Sequence, residues 1–273
     1  MNTNLIKRII TAVILIPVVI SGVLFLSNEW FAIALGVFVF GGAWEWSQLA
    51  GLKHFQLRVG FALLTAGLMW LSFDLSLVPA LITGLVFWSI GTIQIVLHEK
   101  SVSTVTGNSF IRSVIGLLVL VPAWKALVFM HGMNEDGGLL VLFLMVMIWV
   151  ADSGAYFAGH KFGKHKLAPA TSPGKTWEGV MGALLATAIF AFLIQENTSI
   201  IKMNEIMFVV LCLFTTMISV AGDLYESMFK RIAGIKDSGT LIPGHGGVLD
   251  RVDSLTAAAP VFVAGLVFLG DRV

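Results

Sequence analysis

The residues best suited to chemistry are acids set at helical spacing within apolar stretches. Asp223 and Glu226 stand at i and i+3, so they share a helix face, and Lys230 follows one turn later on that face. Asp250 and Asp253 repeat the three-residue spacing after a Gly-rich segment. Because Mg²⁺ is typically held by one or two carboxylates together with substrate phosphates, these two faces predict a magnesium site. The alternative is ordinary helix-end charges that pair with nearby Lys or Arg.

The segment between these acids predicts phosphate binding. Ile242–Gly247 contains glycines that let the backbone turn tightly and present N–H groups to anionic oxygens. The candidate phosphate-binding residues here include four cations and three members of the Gly-rich segment, namely Lys230, Arg231, Lys236, Arg251, His245, Gly246 and Gly247. A plain turn between helices, with His245 in a structural hydrogen bond, is the simpler alternative.

A second loop, 159–176, offers further phosphate donors in Ser172, Lys175 and Thr176. Its Gly-Lys-Thr run is not a P-loop, because Pro169 occupies the position of the first glycine and no strand is expected before it. The stretch before this loop carries a carboxylate, a phenol and an imidazole at i, i+4 and i+8, which places all three on one helix face: Asp152, Tyr156 and His160.

Composition decides which elements must position these residues. Of 273 residues, 57% are hydrophobic and 12% are charged, and the mean hydropathy is +0.92. Soluble chains carry about 25% charged residues, so a soluble enzyme and a disordered chain are both excluded. A net charge of +1 provides no basic surface for nucleic acid. The only cysteine, Cys212, rules out an intramolecular disulfide. The sequence therefore predicts an all-α, polytopic membrane protein.

Nine membrane-spanning helices are predicted from apolar runs of about 20 residues, with eight or ten as the alternatives. Their approximate ranges are 9–27, 30–49, 59–75, 77–97, 113–131, 138–159, 178–195, 204–227 and 254–270. With the N-terminus inside, all but three of the 17 Lys and Arg residues fall on the inner side; Lys202 and Arg272 fall outside, and Lys125 lies within a span. This bias predicts a cytoplasmic N-terminus. Residues 1–273 then form a single membrane domain, whose catalytic elements, about 152–179 and 223–254, lie on the cytoplasmic side.

The 27 residues from Ser227 to Asp253 resemble the signature of the phosphatidate cytidylyltransferases, also called CDP-diacylglycerol synthases. The resemblance extends to the run Asp152–Tyr156, to Ser172–Lys175, to Thr11 with Arg8 before it, and to the run Trp44–Trp46. It therefore covers essentially the whole chain.

The resemblance implies a reaction in which phosphatidic acid attacks the α-phosphate of CTP, giving CDP-diacylglycerol and pyrophosphate. It implies dependence on Mg²⁺ beside a monovalent cation, K⁺, and an integral protein of the bacterial inner membrane with its active site facing the cytoplasm. A homodimer is compatible with it. By resemblance, Asp223 and Asp250 are the principal metal ligands, and Asp253 and Glu226 are expected as secondary ones. The sequence leaves open which loop binds CTP and which binds the lipid phosphate.

Two other classes remain as hypotheses. A transporter would also carry acids within its spans, although here the acids gather toward one side and no paired half-helices are apparent. A CTP-using lipid kinase would release CDP instead of pyrophosphate. The partner of Lys125 is open, with Glu45 and Asp152 as candidates and snorkelling of its side chain toward the membrane surface as the alternative.

Overall fold

A computed structural model describes residues 3–100, 107–198, 203–244 and 246–270. Within these ranges the chain forms nine helices: α1 (Thr3–Phe25), α2 (Asn28–Leu49), α3 (Phe55–Phe73), α4 (Leu77–Glu99), α5 (Ser109–His131), α6 (Gly137–Phe162), α7 (Trp177–Asn197), α8 (Glu205–Ile232) and α9 (Leu249–Leu269). Each predicted span corresponds to one of these helices. In the described part of the chain, α2 to α9 are long and apolar enough to cross a membrane, and the apolar part of α1, Ile9–Phe25, is shorter. The prediction of an all-α polytopic membrane protein is confirmed.

A small β-hairpin interrupts the helical pattern and was not predicted. Strands β1 (Lys166–Ala168) and β2 (Ser172–Thr176) pair antiparallel between α6 and α7. The expectations of a loop over these residues and of no strand before the Gly-Lys-Thr run are therefore wrong. Lys, Pro and Gly dominate β2, so the alternation of apolar and polar residues that marks a strand is missing.

Three helices extend beyond the predicted spans at the ends that carry the candidate site residues. Helix α6 extends to Phe162, α8 extends to Ile232, and α9 already begins at Leu249. Helix α8 ends because Gly234 adopts φ +71°, and the N–H of Ile235 then donates to the carbonyl of Lys230 at 2.9 Å. Most of the charged residues predicted to surround the Gly-rich segment therefore lie on the ends of α8 and α9.

Small residues bring the site-bearing helices into close contact. A Cβ atom at Gly222 of α8 would lie 2.7 Å from the Cβ of Ala257 and 2.8 Å from the carbonyl oxygen of Asp253, both in α9. Gly154 of α6 and Gly182 of α7 pack backbone to backbone in the same way. Because dispersion drives helix association within membranes, such close approach fixes the relative positions of the helices.

Lys125 has a partner that was not anticipated. Its Nζ atom donates a 2.6 Å hydrogen bond to the carbonyl oxygen of Phe73, at the end of α3. The candidate partners Glu45 and Asp152 are therefore wrong. The last carbonyls of a helix have no partner within the helix, so a cation suits this position.

Candidate active site

An ion pair joins the hairpin to α8. Nζ of Lys175 lies 2.7 Å from Oδ2 of Asp223, and both side chains are about a quarter exposed. Asp152 of α6 interacts electrostatically with both residues. Asp253 of α9 also interacts with both. Asp152 and Asp253 therefore lie near the Lys175–Asp223 pair, and these four residues are called the acidic cluster below.

A second network lies on the same face of α8, one to two turns further along. Nζ of Lys230 contacts Oδ1 of Asp250 at 2.8 Å and Oε1 of Glu226 at 3.1 Å. All three side chains are nearly buried. Each charge therefore needs its partners, because an unpaired charge in such surroundings is costly. Because α8 is helical from Glu205 to Ile232, the predicted shared face of Asp223, Glu226 and Lys230 is confirmed.

Ser238 and the last residue of the Gly-rich segment surround the other oxygen of Asp250. Oδ2 of Asp250 accepts hydrogen bonds from the backbone N–H of Ser238 at 2.9 Å, from the Ser238 hydroxyl at 3.1 Å and from the N–H of Gly247 at 2.9 Å. Gly246 has φ +90°, a conformation that favours glycine. The Gly247 N–H, predicted to face a phosphate, thus serves a carboxylate here, and its contact with a phosphate stays a prediction.

The tip of the same segment is a tight turn. Gly244 has φ +77°, and the N–H of Ile242 donates to the carbonyl of Gly246 at 2.9 Å. The hydroxyl of Thr11 in α1 donates to the carbonyl of Pro243 at 3.0 Å, so α1 contacts this turn. The predicted roles of His245 and Arg8 concern side chains outside the described part of the structure.

The hairpin is held from two sides. The Glu99 carboxylate at the end of α4 accepts hydrogen bonds from the N–H groups of Ala170 and Thr171, both at 2.9 Å. Nε of Arg231 donates to the carbonyl of Thr171 at 3.2 Å. Arg231, predicted to bind phosphate, therefore also anchors the turn between β1 and β2.

The remaining predicted residues lie around these two networks. Thr176 caps α7, because its hydroxyl accepts the N–H of Gly179 at 3.1 Å. Ser172 is half-buried in β2, while Lys236 and Arg251 are exposed. Their assignment to phosphate binding stays a prediction.

The donor set suits a hard cation without forming a complete cage. Among the residues that the structure describes, no three His, Cys, Asp or Glu side chains are arranged to hold a metal by themselves. The three carboxylates of the acidic cluster nevertheless offer oxygen donors, and Mg²⁺ commonly takes one or two carboxylates and completes its shell with substrate phosphates and water.

The sequence analysis assigned no site role to two carboxylates that contact the site-bearing elements. Glu99 positions the hairpin, and Glu45 of α2 contacts the start of α9. The only sequence signal for Glu45 is an acid within an apolar span, in the run Trp44–Trp46.

The sequence pattern of the Cytidylyltransferase family matches residues 6–269, which is nearly the whole chain. The chain belongs to the cytidylyltransferase family. Members of this family are nucleotidyltransferases, so the acidic cluster and the Lys230 network lie in an enzyme of that class.

Three relatives illustrate how far the similarity extends. A phosphatidate cytidylyltransferase of Pseudomonas aeruginosa is 43% identical over 260 residues, covering 94% of this chain and 95% of the relative. The protein of the same name from Haemophilus influenzae is 38% identical over 278 aligned residues, covering 94% and 96%. That of Brucella suis is 34% identical over 274 residues, covering 97% and 95%. The similarity therefore covers nearly the full length of these bacterial relatives.

Proposed function

We propose that this chain is a phosphatidate cytidylyltransferase, which converts CTP and phosphatidic acid to CDP-diacylglycerol and pyrophosphate. The observation that carries the proposal is the family match over nearly the whole chain, together with relatives of that name along their full length. The paired Lys and Asp residues on α8, α9 and the hairpin supply the charges that such a reaction requires.

The reaction is an in-line displacement at phosphorus. A phosphate oxygen of phosphatidic acid forms a bond to the α-phosphorus of CTP, and the bond from that phosphorus to pyrophosphate breaks. Both reactants are polyanions, so catalysis depends mainly on alignment and on neutralisation of charge. No general base is required, because the second pKa of a phosphate monoester is about 6 and the attacking group is already anionic.

The cations of the chain have different roles in this proposal. Lys175 is partly exposed at its pair with Asp223, so a substrate phosphate can replace the carboxylate as its partner. Lys230 is nearly buried between Asp250 and Glu226, which suits a cation that also holds the acids in place. Arg231, Lys236 and Arg251 complete the set that binds the triphosphate or the lipid phosphate.

Mg²⁺ is part of the proposal. Asp223 and Asp250 are the expected principal ligands, and Asp253 and Glu226 are the secondary ones. Asp223 accepts from Lys175 and Ser227, whereas Asp250 accepts four hydrogen bonds, so Asp223 has the greater remaining capacity for a cation. When bound, the ion would neutralise charge on the phosphates and orient them. The accompanying K⁺ ion rests on the family resemblance alone.

The proposed function also includes a location and an orientation in the membrane. CTP reaches the site from the cytoplasm, and phosphatidic acid enters laterally from the inner leaflet of a bacterial inner membrane. The distribution of Lys and Arg supports this orientation. A homodimer is part of this proposal on the family resemblance alone.

Purified protein in mixed micelles tests the proposal. With CTP, phosphatidic acid and Mg²⁺, we expect pyrophosphate release that requires both substrates, and a CDP-lipid by mass spectrometry. Phosphorylated lipid with CDP would instead indicate a lipid kinase. Solute uptake into proteoliposomes without CTP turnover would indicate a transporter, and either result would overturn the proposal.

A further inference from the structure

Glu45 is an acid in the inner half of α2, far from α9 in sequence and in contact with it in space. Its side chain is only 2% exposed. Oε1 accepts the N–H of Val248 at 3.0 Å, and Oε2 accepts the N–H of Leu249 at 2.9 Å and the Ser238 hydroxyl at 3.0 Å. Among the described residues, the groups that donate to its oxygens are therefore neutral.

These contacts make Glu45 a cap supplied from another helix. The first N–H groups of a helix lack partners within the helix and carry partial positive charge, which favours a carboxylate there. Helix α9 begins at Leu249, and its own flanking residue, Val248, has no side-chain cap. Glu45 therefore supplies, from α2, the acceptor that α9 lacks locally.

The carboxylate of Glu45 is linked to that of Asp250 through a single hydroxyl group. Oγ of Ser238 lies 3.0 Å from Oε2 of Glu45 and 3.1 Å from Oδ2 of Asp250. A serine hydroxyl has one proton, which the two acids share across this bridge. Any shift of Glu45 is therefore transmitted to Asp250 both through Ser238 and through the backbone of α9.

Two glycines beside Glu45 leave the space that its carboxylate occupies. A Cβ atom at Gly239 would lie within van der Waals overlap of Oε1 of Glu45, and one at Gly247 would overlap both Oε2 of Glu45 and Oγ of Ser238. Part of the Gly-rich segment is thus explained by the approach of a buried acid. This close fit leaves Glu45 little freedom to move.

We propose that Glu45 is a positioning residue, whose carboxylate fixes the start of α9 and thereby the places of Asp250 and Asp253. The inference rests on the proposed function, because it assigns these two acids to the site of cytidylyl transfer. It concerns geometry only, since the buried Glu45 carboxylate accepts its hydrogen bonds from groups of the chain itself.

The test compares Glu45→Gln with Asn204→Ala, which removes a helix cap at the opposite end of α8. The Asn204 side chain accepts the N–H groups of Ile206 and Met207, far from the acidic cluster. For Glu45→Gln we expect the Mg²⁺ concentration at half-maximal rate and the KM for CTP to rise by about 10-fold or more, as is typical when a residue that orients a metal ligand is lost. Asn204→Ala should lower only the melting temperature. A smaller fraction of folded, active protein changes neither the Mg²⁺ concentration at half-maximal rate nor the KM for CTP. Loss of stability and loss of positioning can therefore be distinguished.

Ser238→Ala provides a second variant that removes only the bridging hydroxyl. We expect it to shift the same two parameters in the same direction by a smaller factor, and the double variant to be no worse than Glu45→Gln alone. If both variants lower the melting temperature and leave the Mg²⁺ midpoint and the KM for CTP unchanged, Glu45 is a structural cap and the proposal is overturned.

Amide hydrogen exchange tests the positioning role of Glu45 independently of the proposed function. In Glu45→Gln we expect faster exchange of the amides from Gly247 to Asp253, with other helices unchanged, and this measurement requires no turnover. If wild-type protein does not turn over CTP, the proposed function fails while the exchange result still decides the positioning role. Unchanged exchange in this segment would overturn it.

Discussion

Lys175 and Asp223 form a 2.7 Å ion pair between strand β2 and helix α8. The two residues are far apart in the sequence, and the pair is a direct link between the two segments expected to bind substrates. It also places a partly exposed cation beside three carboxylates, where a phosphate could enter.

Lys175→Gln should reduce kcat/KM by about 100-fold, because removal of one group that stabilises developing charge commonly costs this much. Steady-state pyrophosphate release is the measurement. Lys166→Gln is the matched control, since Lys166 is an exposed lysine in the neighbouring strand of the same hairpin. Comparable losses in both variants would mean that general charge, and not the position of Lys175, matters.

Asp223→Asn and Asp250→Asn should both abolish turnover but should differ in stability. Asp223 is partly exposed, so its variant should melt close to wild type. Asp250 is nearly buried and contacts Lys230, and loss of one partner of such a pair costs about 3 kcal/mol. Thermal unfolding in detergent distinguishes them. Wild-type turnover by Asp223→Asn at saturating Mg²⁺ would contradict the metal assignment.

Gly222→Ala should lower both stability and activity, because the new methyl group would press α9 away from α8 near Asp253. Overpacking of this kind costs about 1–3 kcal/mol. Gly67→Ala is the control, since a Cβ atom there meets nothing within 4 Å, and it should be neutral or slightly stabilising. Melting temperatures and turnover of the two variants provide the comparison. A fully active, stable Gly222→Ala protein would argue against tight α8–α9 packing as the support of the site.

Single-cysteine labelling tests the orientation. The native Cys212 is buried, so a Cys212→Ala background is suitable for new cysteines at two exposed positions, Lys53 and Glu135. In intact spheroplasts, a membrane-impermeant maleimide should label Glu135→Cys, and it should label Lys53→Cys only after permeabilisation. The reverse pattern would place the proposed site on the wrong side of the membrane.

Much of the architecture could be predicted because it depends on local composition. Long apolar runs specify spanning helices wherever they occur, and the spacing of Asp223, Glu226 and Lys230 follows from helical geometry alone. Both features can be predicted without knowing which segments contact each other in the folded protein. The nine helices and the shared face on α8 were therefore accessible from the sequence.

The features that escaped prediction all depend on contacts between distant segments. The hairpin is anchored by Glu99 and Arg231 from other helices, and its own residues have little strand character. Glu45 caps a helix that begins about two hundred residues later. Lys125 finds its partner in a backbone carbonyl, which no side-chain pattern reveals.

The most direct test of cytidylyl transfer follows the phosphorus atoms of CTP. Purified protein is given phosphatidic acid, Mg²⁺ and CTP labelled at either the α- or the γ-phosphorus, and lipid and aqueous products are separated. We predict that the α-label enters the lipid and the γ-label appears in pyrophosphate, and that Asp223→Asn prevents both. Transfer of the γ-label to lipid, or of neither label by the wild-type protein, would contradict cytidylyl transfer at this site.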